Sequence, residues 1–567
     1  MDYATDLEVL IGGPAGSGVF ATGAVAAKTL LQHGYDVFTT NEYPSTIRGG
    51  HQWVLVRAKL NGKAFSHRGT PDAILALDAH TALEHGGRLK DRGAILCDES
   101  VAQTLNMHRI VPLPLSKIVK EAGAPPVAVN MAGLGALLGM LGCDLELLLN
   151  AVKRQWEKAR VAELNVKVAE LGYEEGVKHG SMLSFKVRRV EAKQRLLLDG
   201  NSAVALGALA GGMSFFTAYP ITPASPILHF LAEVQEECGI IVVQAECELS
   251  SINMAIGAAF AGARAVVATS GPGLSLMAEA LGAAAMTETP IVIVNVQRSG
   301  PSTGLPTHTA QGDLRFAIHA SHGEFPRVVL APGDPVEAYQ LSCEALNLAW
   351  KFQVPVILLT DKFLAESHWT VHELPEVELQ DADFYQPEPS VKYARYKLTE
   401  DGVSPLVFPG VKGVRIYTNT NEHDEQGFVT VDPAVVKLMQ EKRFRKLKEL
   451  SKLSESRGVK VYGEGDTALV VWGSVKSVAM EALEKVEGVK LVQVIWLEPF
   501  PRRSLAKEIE GCKVLVAENN FTSQLVSLMR ENLKLEPHAV LNKYDGRPFS
   551  PQELNEFMKA NAGGFHG

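Results

Sequence analysis

Residues 240–262 read IIVVQAECELSSINMAIGAAFAG, and this stretch decides the fold class. It opens with four β-branched apolar residues, the pattern of a buried strand in a parallel sheet, and we predict a buried strand at 240–246. Apolar side chains then recur at positions 249, 252, 256 and 260, which is the spacing of one helix face. A buried strand that passes directly into a helix predicts an α/β fold.

The same alternation of strand and helix patterns covers most of the chain and divides it into three blocks. We predict three α/β domains, at residues 1–190, 193–440 and 459–567, with a charged linker helix at 441–458. In the first block the alternation predicts a largely parallel sheet, closed by a polar helical run at 151–175. The alternating charges of the linker helix predict that it is solvated. The predicted strands are 7–11, 37–40, 52–58, 73–77 and 93–97 in the first block, 240–246, 265–269, 290–296, 327–330 and 355–360 in the second, and 467–472, 490–496 and 513–517 in the third.

The composition of the 567 residues excludes several classes of protein. Hydrophobic residues make up 46% and charged residues 21%, values typical of globular proteins and not of disordered or fibrous ones. A net charge of −9 without a long basic block argues against nucleic acid as the main partner. The uncharged stretch 122–143 contains five glycines and two prolines, which favours a buried segment over a membrane span.

The six cysteines include no CxxC pair, so neither a zinc knuckle nor a cysteine-ligated iron–sulfur cluster is predicted in this chain. Scattered single thiols are typical of a reducing compartment. The first residues, Met1-Asp2-Tyr3, do not resemble a signal peptide. We therefore expect a soluble protein of the cytoplasm, with no metal ligand among its site residues.

Residues 16–21 read GSGVFA, a GxGxxA pattern between a predicted strand and a predicted helix. Glycines at these positions let the backbone approach a phosphate, and the helix start supplies unpaired N–H groups. Glu42, at the end of the next predicted strand, is available as the acidic residue of a dinucleotide site. Short glycine-rich turns also serve tight strand–helix packing without any ligand, so both interpretations stay open.

Residues 217–226 read TAYPITPASP, the most specific string in the chain. Proline is favourable in the first turn of a helix, so Pro223 predicts a helix start with Thr222 as its N-cap. The Thr222 hydroxyl would then lie at the helix end that favours anions. It would either contact a ligand there or only cap the helix.

Glu248 follows the predicted strand 240–246 and precedes a predicted helix, which places it at the carboxyl edge of a parallel sheet. Ligands bind at this edge in α/β proteins, and a carboxylate there could hold or relay a proton on a heterocycle nitrogen. It could also only complement the helix dipole. Small residues around Gly257 predict a thin helix face for close packing.

Arg298 follows the predicted strand 290–296 and precedes a proline-stiffened loop with five hydroxyl side chains, SGPSTGLPTHT at 299–309. Arginine binds a carboxylate through two parallel hydrogen bonds, and hydroxyls can complete the binding site. Arg298 is therefore a candidate carboxylate clamp, and an ordinary polar loop with a surface arginine is the alternative.

These strings resemble those of 2-oxoacid:ferredoxin oxidoreductase alpha subunits of the type that carries a fused gamma domain. The resemblance covers nearly the whole chain. It implies a gamma-type domain, a pyrimidine-type domain of thiamine diphosphate (TPP) enzymes and a transketolase C-terminal-like domain. The strings that carry it are GGPAGSG at 12–18, YPSTIRGG at 43–50, YPITP at 219–223, QRSGPSTGLPT at 297–307 and LEPFP at 497–501.

The resemblance implies the conversion of a 2-oxoacid, coenzyme A (CoA) and oxidised ferredoxin to acyl-CoA, carbon dioxide and reduced ferredoxin. It implies that Glu248 contacts the aminopyrimidine ring nitrogen of TPP and that Arg298 binds the substrate carboxylate. Thr222 and Thr307 would contact the substrate. 2-Oxoglutarate is the first choice of substrate, with pyruvate and branched-chain 2-oxoacids as alternatives. His308 is a candidate for the second carboxylate of 2-oxoglutarate.

No GDG tripeptide occurs in the chain, so the Mg²⁺–diphosphate signature of the family's second TPP domain is absent from it. The resemblance therefore implies that Mg²⁺ and a [4Fe-4S] cluster belong to a beta subunit, in an alpha–beta heterodimer or a dimer of heterodimers. Two other functions stay open from the sequence. One is a stand-alone NAD(P)-binding oxidoreductase that uses residues 16–21, and the other is a non-catalytic regulatory subunit that has kept the fold.

Overall fold

The computed structural model describes residues 2–45, 49–191, 193, 195–387 and 392–562. The chain forms two compact units. The first comprises Met1–Leu198, Glu366–Glu373 and Ser550–Gln552, and the second comprises Asp199–Ala365, Leu374–Phe549 and Glu553–Gly567.

The strands of both units are numbered in chain order. They are β1 (Asp2–Tyr3), β2 (Asp6–Pro14), β3 (Asp36–Glu42), β4 (His51–Lys59), β5 (Ala73–Ala76), β6 (Ala94–Asp98), β7 (Ile110–Leu113), β8 (Phe185–Lys186), β9 (Leu196–Asp199), β10 (Phe215–Ala218), β11 (Ile241–Gln244), β12 (Ala265–Thr269), β13 (Ile291–Gln297), β14 (Val328–Leu330), β15 (Pro355–Asp361), β16 (His368–Val371), β17 (Val459–Tyr462), β18 (Thr467–Trp472), β19 (Val489–Val494), β20 (Trp496–Glu498), β21 (Lys513–Glu518) and β22 (Ala539–Asn542).

The α-helices are numbered in the same way. They are α1 (Val19–Gln32), α2 (Ala79–His85), α3 (Glu99–Ala102), α4 (Leu115–Ala122), α5 (Val129–Met140), α6 (Leu145–Gln155), α7 (Ala159–Lys178), α8 (Gly200–Ala210), α9 (Ser225–Cys238), α10 (Glu248–Phe260), α11 (Gly271–Met286), α12 (Leu314–His319), α13 (Pro335–Phe352), α14 (Lys362–Glu366), α15 (Pro433–Arg457), α16 (Val475–Leu483), α17 (Arg502–Ile509), α18 (Gln524–Leu533) and α19 (Pro551–Ala562).

The first unit contains an eight-stranded mixed sheet in the order β7-β6-β5-β2-β4-β3-β16-β9. The strands β7, β6, β5 and β2 are parallel, whereas β4 is antiparallel to both β2 and β3, and β16 is antiparallel to β3. The prediction of a largely parallel sheet is therefore wrong for half of it. Parallel neighbours need a crossover connection, and no described helix lies between β3 and β4.

Helices α5 and α7 of the first unit pack backbone to backbone. The uncharged stretch contains α5, whose residues are almost all buried, so the prediction of a buried segment is confirmed. A Cβ atom on any of the four glycines at this contact would lie 2.0–2.4 Å from a carbonyl oxygen of the other helix. The polar run predicted at 151–175 is two helices, the end of α6 and most of α7. Among the described helices, none combines the length and the apolar composition that crossing a membrane requires.

The second unit contains a seven-stranded sheet in the order β11-β10-β12-β13-β15-β14-β20, parallel except for β20. Its strands alternate with helices, which confirms the α/β class predicted from residues 240–262. The strand predicted as buried, β11, instead lies at the edge of the sheet, where Ile241 is 60% exposed. Its apolar run did not distinguish an edge strand from a central one.

A five-stranded sheet in the order β17-β19-β18-β21-β22 completes the second unit. The short strand β20 follows β19 along the chain but pairs with β14 in the seven-stranded sheet. Three large α/β sheets are thus present, as the fold class predicts. The domain boundaries at 190, 440 and 459 stay a prediction, because the last two predicted domains share one compact unit and one sheet.

The charged helix α15 is not the solvated linker that its sequence predicts. Lys442 and Lys446 are completely buried, and both donate hydrogen bonds to the carboxylate of Glu288, at 2.6–2.9 Å. Burial by itself raises the pKa of Glu288, but these two lysines and Arg395 together hold that pKa well below its ordinary value. The pattern of alternating charges cannot reveal a partner that lies far away in sequence.

Candidate active site

Four loops meet the carboxyl edge of the parallel strands in the second unit. They follow β10, β11, β12 and β13, which are neighbours in the sheet. These loops and the helix starts after them contain the predicted residues Thr222, Glu248 and Arg298 and the string TSGPG at 269–273. Because parallel strands end at the same edge of a sheet, these residues all lie at that edge.

Glu248 is the first residue of α10 and is only 7% exposed. Gly273, in the first turn of α11, allows it to sit there, because a Cβ atom at that glycine would lie 2.8 Å from Cγ of Glu248. The same Cβ would lie 1.9 Å from Oγ1 of Thr269. Within the described part of the chain, the Glu248 carboxylate makes no hydrogen bond or ion pair. The carboxylate is therefore able to accept a hydrogen bond from a bound ligand, and its charge acts on the nearby Arg298.

The neighbouring carboxylate of Glu246 has a different environment. It is exposed and accepts a hydrogen bond from the Ser250 hydroxyl at 2.9 Å. The two acids therefore differ in burial and in hydrogen bonding.

Arg298 lies directly after β13 and is half-buried. Its Nη1 donates a hydrogen bond to the carbonyl oxygen of Thr222 at 2.7 Å, so the structure brings these two residues together. Burial lowers the pKa of Arg298, while the nearby carboxylates of Asp313 and Glu248 oppose that shift. The Nε of Arg298 is buried and has no hydrogen-bond partner among the described residues. The guanidinium therefore keeps a free donor, as far as the described residues are concerned.

Thr222 is not the N-cap of the following helix. Helix α9 begins at Ser225 with Ala224 as its N-cap, and Pro226 occupies the first turn. The string holds two prolines that suit a helix start, and the helix begins at the second one. Thr222 instead contributes its backbone carbonyl to the Arg298 contact.

Thr307 is 4% exposed, and its hydroxyl lies 3.1 Å from Nδ1 of His308. The end of this loop is fixed by the last part of the chain, since the Thr309 N–H donates to the Gly546 carbonyl at 3.2 Å. A Cβ atom at Gly546 would lie 3.2 Å from Cβ of His308. The loop that carries Thr307 is thus held by the five-stranded part of the same unit.

Asp313 is a residue of the site region that the sequence did not single out. Its Oδ2 accepts a hydrogen bond from Asn295 at 3.1 Å, and its backbone N–H donates to Oε1 of Gln297 at 2.9 Å. Burial raises the pKa of Asp313, and Arg298 and Asn295 oppose that shift. Asp313 occurs 15 residues after Arg298 without any motif around it, so no pattern could have pointed to it.

The glycine-rich loop of the first unit is shaped by packing at one position. Gly18 has a left-handed backbone, with φ of 77°, and a Cβ atom there would lie 2.2 Å from Nδ2 of Asn130. Asn130 donates to the Ser17 carbonyl at 3.0 Å. Gly16 has open space around it. Part of the related string at 43–50, residues 46–48, lies outside the described residues.

Two family models match the chain. The model described as "Pyruvate flavodoxin/ferredoxin oxidoreductase, thiamine diP-bdg" matches residues 206–442. The model described as "Pyruvate ferredoxin/flavodoxin oxidoreductase" matches residues 8–175. The first covers the strands and loops of the candidate site, and the second covers most of the first unit.

Named relatives and a solved structure match almost the full length. A 2-oxoacid:ferredoxin oxidoreductase subunit alpha from Sulfolobus sp. is 33% identical, over 97% of this chain and 96% of the relative. Subunit alpha of 2-oxoacid:ferredoxin oxidoreductase 2 from Aeropyrum pernix is 34% identical, over 98% and 97%. The 2-oxoglutarate:ferredoxin oxidoreductase from Magnetococcus marinus, solved with 2-oxoglutarate, CoA and succinyl-CoA bound, is 32% identical with a TM-score of 0.91, over 99% of this chain and 100% of that one.

A shorter relative matches only the later part. The 2-oxoglutarate synthase subunit KorA from Archaeoglobus fulgidus is 35% identical, over 64% of this chain and 98% of the relative. The long relatives and the two family models agree with one another. The chain therefore belongs to the alpha subunits of the 2-oxoacid:ferredoxin oxidoreductase family and is an oxidoreductase.

Proposed function

We propose that this chain is the alpha subunit of a TPP-dependent enzyme that oxidatively decarboxylates a 2-oxoacid, with CoA and ferredoxin as co-substrates. The observation that carries the proposal is the position of Glu248 at the sheet edge, where its side chain is 7% exposed and its carboxylate makes no hydrogen bond with the described residues. 2-Oxoglutarate is the proposed substrate. Support comes from the similar Magnetococcus marinus enzyme, which was solved with 2-oxoglutarate, CoA and succinyl-CoA bound.

The residues around Glu248 fit the aminopyrimidine of TPP. A buried carboxylate accepts a hydrogen bond from a protonated ring nitrogen and thereby stabilises its proton. Gly273 keeps the space beside the carboxylate free of a side chain. When it is bound, TPP supplies the carbanion chemistry through which a 2-oxoacid loses carbon dioxide. Glu248 would hold the proton and orient the ring, and the site would exclude water.

Arg298 is the proposed clamp for the carboxylate of the 2-oxoacid. Its guanidinium lies at the same sheet edge as Glu248, and the Thr222 carbonyl fixes its position. We propose that Thr222 and Thr307 line the substrate site beside it. A guanidinium that is fixed before the substrate arrives loses little entropy on binding.

Replacing Arg298 tests the clamp directly. Arg298→Ala is expected to raise the KM for the 2-oxoacid about tenfold or more, because a charge-assisted bidentate pair contributes roughly 1.5–3 kcal/mol. Steady-state kinetics of the assembled enzyme measure this effect. Arg315→Ala is the matched control, since Arg315 pairs with Glu531 at the surface, and it should leave the KM unchanged. An unchanged KM in Arg298→Ala would show that the loop does not bind the carboxylate.

The Mg²⁺–diphosphate site and the [4Fe-4S] cluster are proposed to belong to a beta subunit, which would also pass electrons to ferredoxin. The surface beside Glu248 supports such a partner, because apolar side chains project from it. Leu249 is 49% exposed and Met254 is 44% exposed on α10, and Gly257 has nothing within 4 Å. The thin helix face predicted around Gly257 is thus not covered by any residue that the structure describes. An exposed apolar patch beside a site marks an interaction surface.

The partner can be tested by assembly. The chain alone is expected to show no turnover of 2-oxoglutarate, and a beta subunit carrying TPP, Mg²⁺ and an iron–sulfur chromophore should restore it. Met254→Glu should prevent the two chains from copurifying, because it places a charge in the contact. Val431→Glu is the matched control, since Val431 is 90% exposed in the segment before α15. Full turnover by the isolated chain would contradict the proposed division of the site.

We also propose a separate identity for each of the three predicted domains. The region 1–190 would be the gamma-type domain and would help to present CoA, while 193–440 would be the pyrimidine-type domain. The region 459–567 would be the transketolase C-terminal-like domain, with 441–458 as the helix that joins the last two. The contacts of Thr309 with Gly546 support a role for the last region in holding the substrate loop.

A further inference from the structure

Histidine and glutamate side chains gather at one point of the first unit, in a group that the proposed function does not use. His51 opens strand β4, and helix α2 carries His80, Glu84 and His85. The ring of His51 packs edge-on against His80, with centroids 4.8 Å apart, and at a tilt against His85, with centroids 5.1 Å apart. Three imidazoles and one carboxylate therefore converge.

The ligand atoms in this group lie close to the separations that one cation requires. Nε2 of His51 lies 2.9 Å from Nε2 of His85 and 3.9 Å from Oε2 of Glu84. One such atom from each of the three residues lies within 4.8 Å of the others. Two ligands of a tetrahedral zinc ion are about 3.3 Å apart, because metal–nitrogen distances are about 2.0–2.1 Å. Small side-chain rotations would bring the three atoms onto one ion.

The elements that carry these side chains are well anchored. Asp78 caps α2 by accepting a hydrogen bond from the Thr81 N–H at 2.9 Å. A Cβ atom at Gly12 would lie 3.2 Å from Cε1 of His51, so strand β2 supports that ring closely. His85 is 2% exposed. Two of the ligand rings are therefore held in place before a cation arrives.

A bound cation would replace the proton that lies between Nε2 of His51 and Nε2 of His85. Two imidazole nitrogens 2.9 Å apart share a single proton. Nη1 of Arg88 lies 3.3 Å from Nδ1 of His85 and donates to it, which puts the proton of that ring on Nε2, facing His51. A bound cation would displace this proton to Nδ1, and Arg88 would turn away from the ring. Glu84 would supply the negative charge among the three ligands.

We propose that His51, Glu84 and His85 form a binding site for a borderline divalent cation, with Zn²⁺ as the first choice. Two neutral imidazoles and a carboxylate are ligands that Zn²⁺ prefers, and three protein ligands leave a fourth position for water. His80, whose Nε2 lies 2.9 Å from Oε2 of Glu84, contacts the carboxylate of this group. Mg²⁺ prefers oxygen ligands and would not compete. The site is independent of the function proposed above.

Titration with Zn²⁺ alone tests the site in the full-length chain after treatment with a chelator. Competition against a chromophoric zinc indicator should show one bound equivalent, and excess Mg²⁺ should not displace it. His51→Gln and His85→Gln should each weaken binding at least tenfold, because each removes one ligand. Co²⁺ bound at the same equivalent should show the intense visible absorption of a tetrahedral site, and His51→Gln should abolish it.

Two further variants keep the test decisive. His179→Gln is the matched control, because His179 pairs with Glu175 at 3.2 Å in the same unit without a second imidazole, and it should leave binding unchanged. Glu84→Gln changes a half-exposed side chain on α2, so it should weaken binding without unfolding the chain. The proposal is overturned if no equivalent of Zn²⁺ binds, or if the Glu84 and His51 variants bind it as tightly as the unchanged chain.

Discussion

Glu248→Ala is expected to reduce kcat of the assembled enzyme about 100-fold or more, since general acid–base assistance by one positioned side chain contributes about 10²–10⁴-fold. Glu248 lies at the start of α10, is only 7% exposed, and makes no hydrogen bond with the described residues that would compete with a bound ring nitrogen. Glu248→Gln keeps the shape of the side chain and removes the charge, and it should reduce kcat to a similar extent.

The neighbouring acid provides the control for this effect. Glu246→Ala removes an exposed carboxylate two residues away that accepts one hydrogen bond from Ser250. It should leave kcat within about twofold of the unchanged enzyme, because surface substitutions of this kind change little. Copurification with the partner subunit and a circular dichroism spectrum would show that both variants assemble. Full turnover by a correctly assembled Glu248→Ala enzyme would refute the assignment.

Glu288→Gln is expected to destabilise the second unit by about 3–5 kcal/mol, because removing one member of a buried ion pair leaves its partners charged and uncompensated. The Glu288 carboxylate is the acceptor for two buried lysines, Lys442 and Lys446. The free energy of unfolding, measured by urea denaturation of the unchanged chain and the variant, would give the difference. At urea concentrations below its unfolding midpoint, the Glu288→Gln variant should still bind substrate.

An exposed ion pair on the same helix is the control. Glu449 pairs with Lys452 at 2.6 Å at the surface of α15, and Glu449→Gln should change the free energy of unfolding by about 1 kcal/mol at most. If Glu288→Gln were as mild as this control, the buried cluster would not hold α15 in place. A triple variant that also replaces Lys442 and Lys446 by methionine should recover part of the loss, because it removes the uncompensated charges.

The cluster around Glu288 also makes the stability of the folded chain depend on pH. The pKa of Glu288 is held below its ordinary value in the folded chain by Lys442, Lys446 and Arg395, against the effect of burial. Its contribution to stability is therefore complete above the unfolded pKa, about 4.5, and is lost as the pH falls further. Below that pH, the difference in stability between the unchanged chain and Glu288→Gln should shrink.

The sequence predicts much of the sheet and the main residues of the site because both follow short patterns. Apolar runs locate β12, β13 and β15, and the strand-to-helix transition locates Glu248 at the carboxyl edge. Since parallel strands end together, the position of Arg298 after β13 already places it near that edge. These inferences need only local periodicity and one topological rule.

Other features depend on contacts between residues far apart in sequence, which short patterns do not encode. The burial of Lys442 depends on Glu288, 154 residues earlier. The pairing of β3 with β16 joins segments more than 300 residues apart. The helix after Thr222 begins at the second of two suitable prolines, and the sequence does not decide between them. His51 and His85 meet although they are 34 residues apart and share no motif.

Strand β16 has a consequence for how the chain is made. It lies between β3 and β9 in the sheet of the first unit, although its residues, His368–Val371, follow most strands of the seven-stranded sheet along the chain. On the ribosome the amino-terminal segment emerges first. The edge of β3 therefore lacks its neighbour β16 until β10 to β15 have been synthesised. At about 5–20 residues per second, that delay is on the order of ten seconds or more, during which an unpaired edge needs protection from other nascent chains.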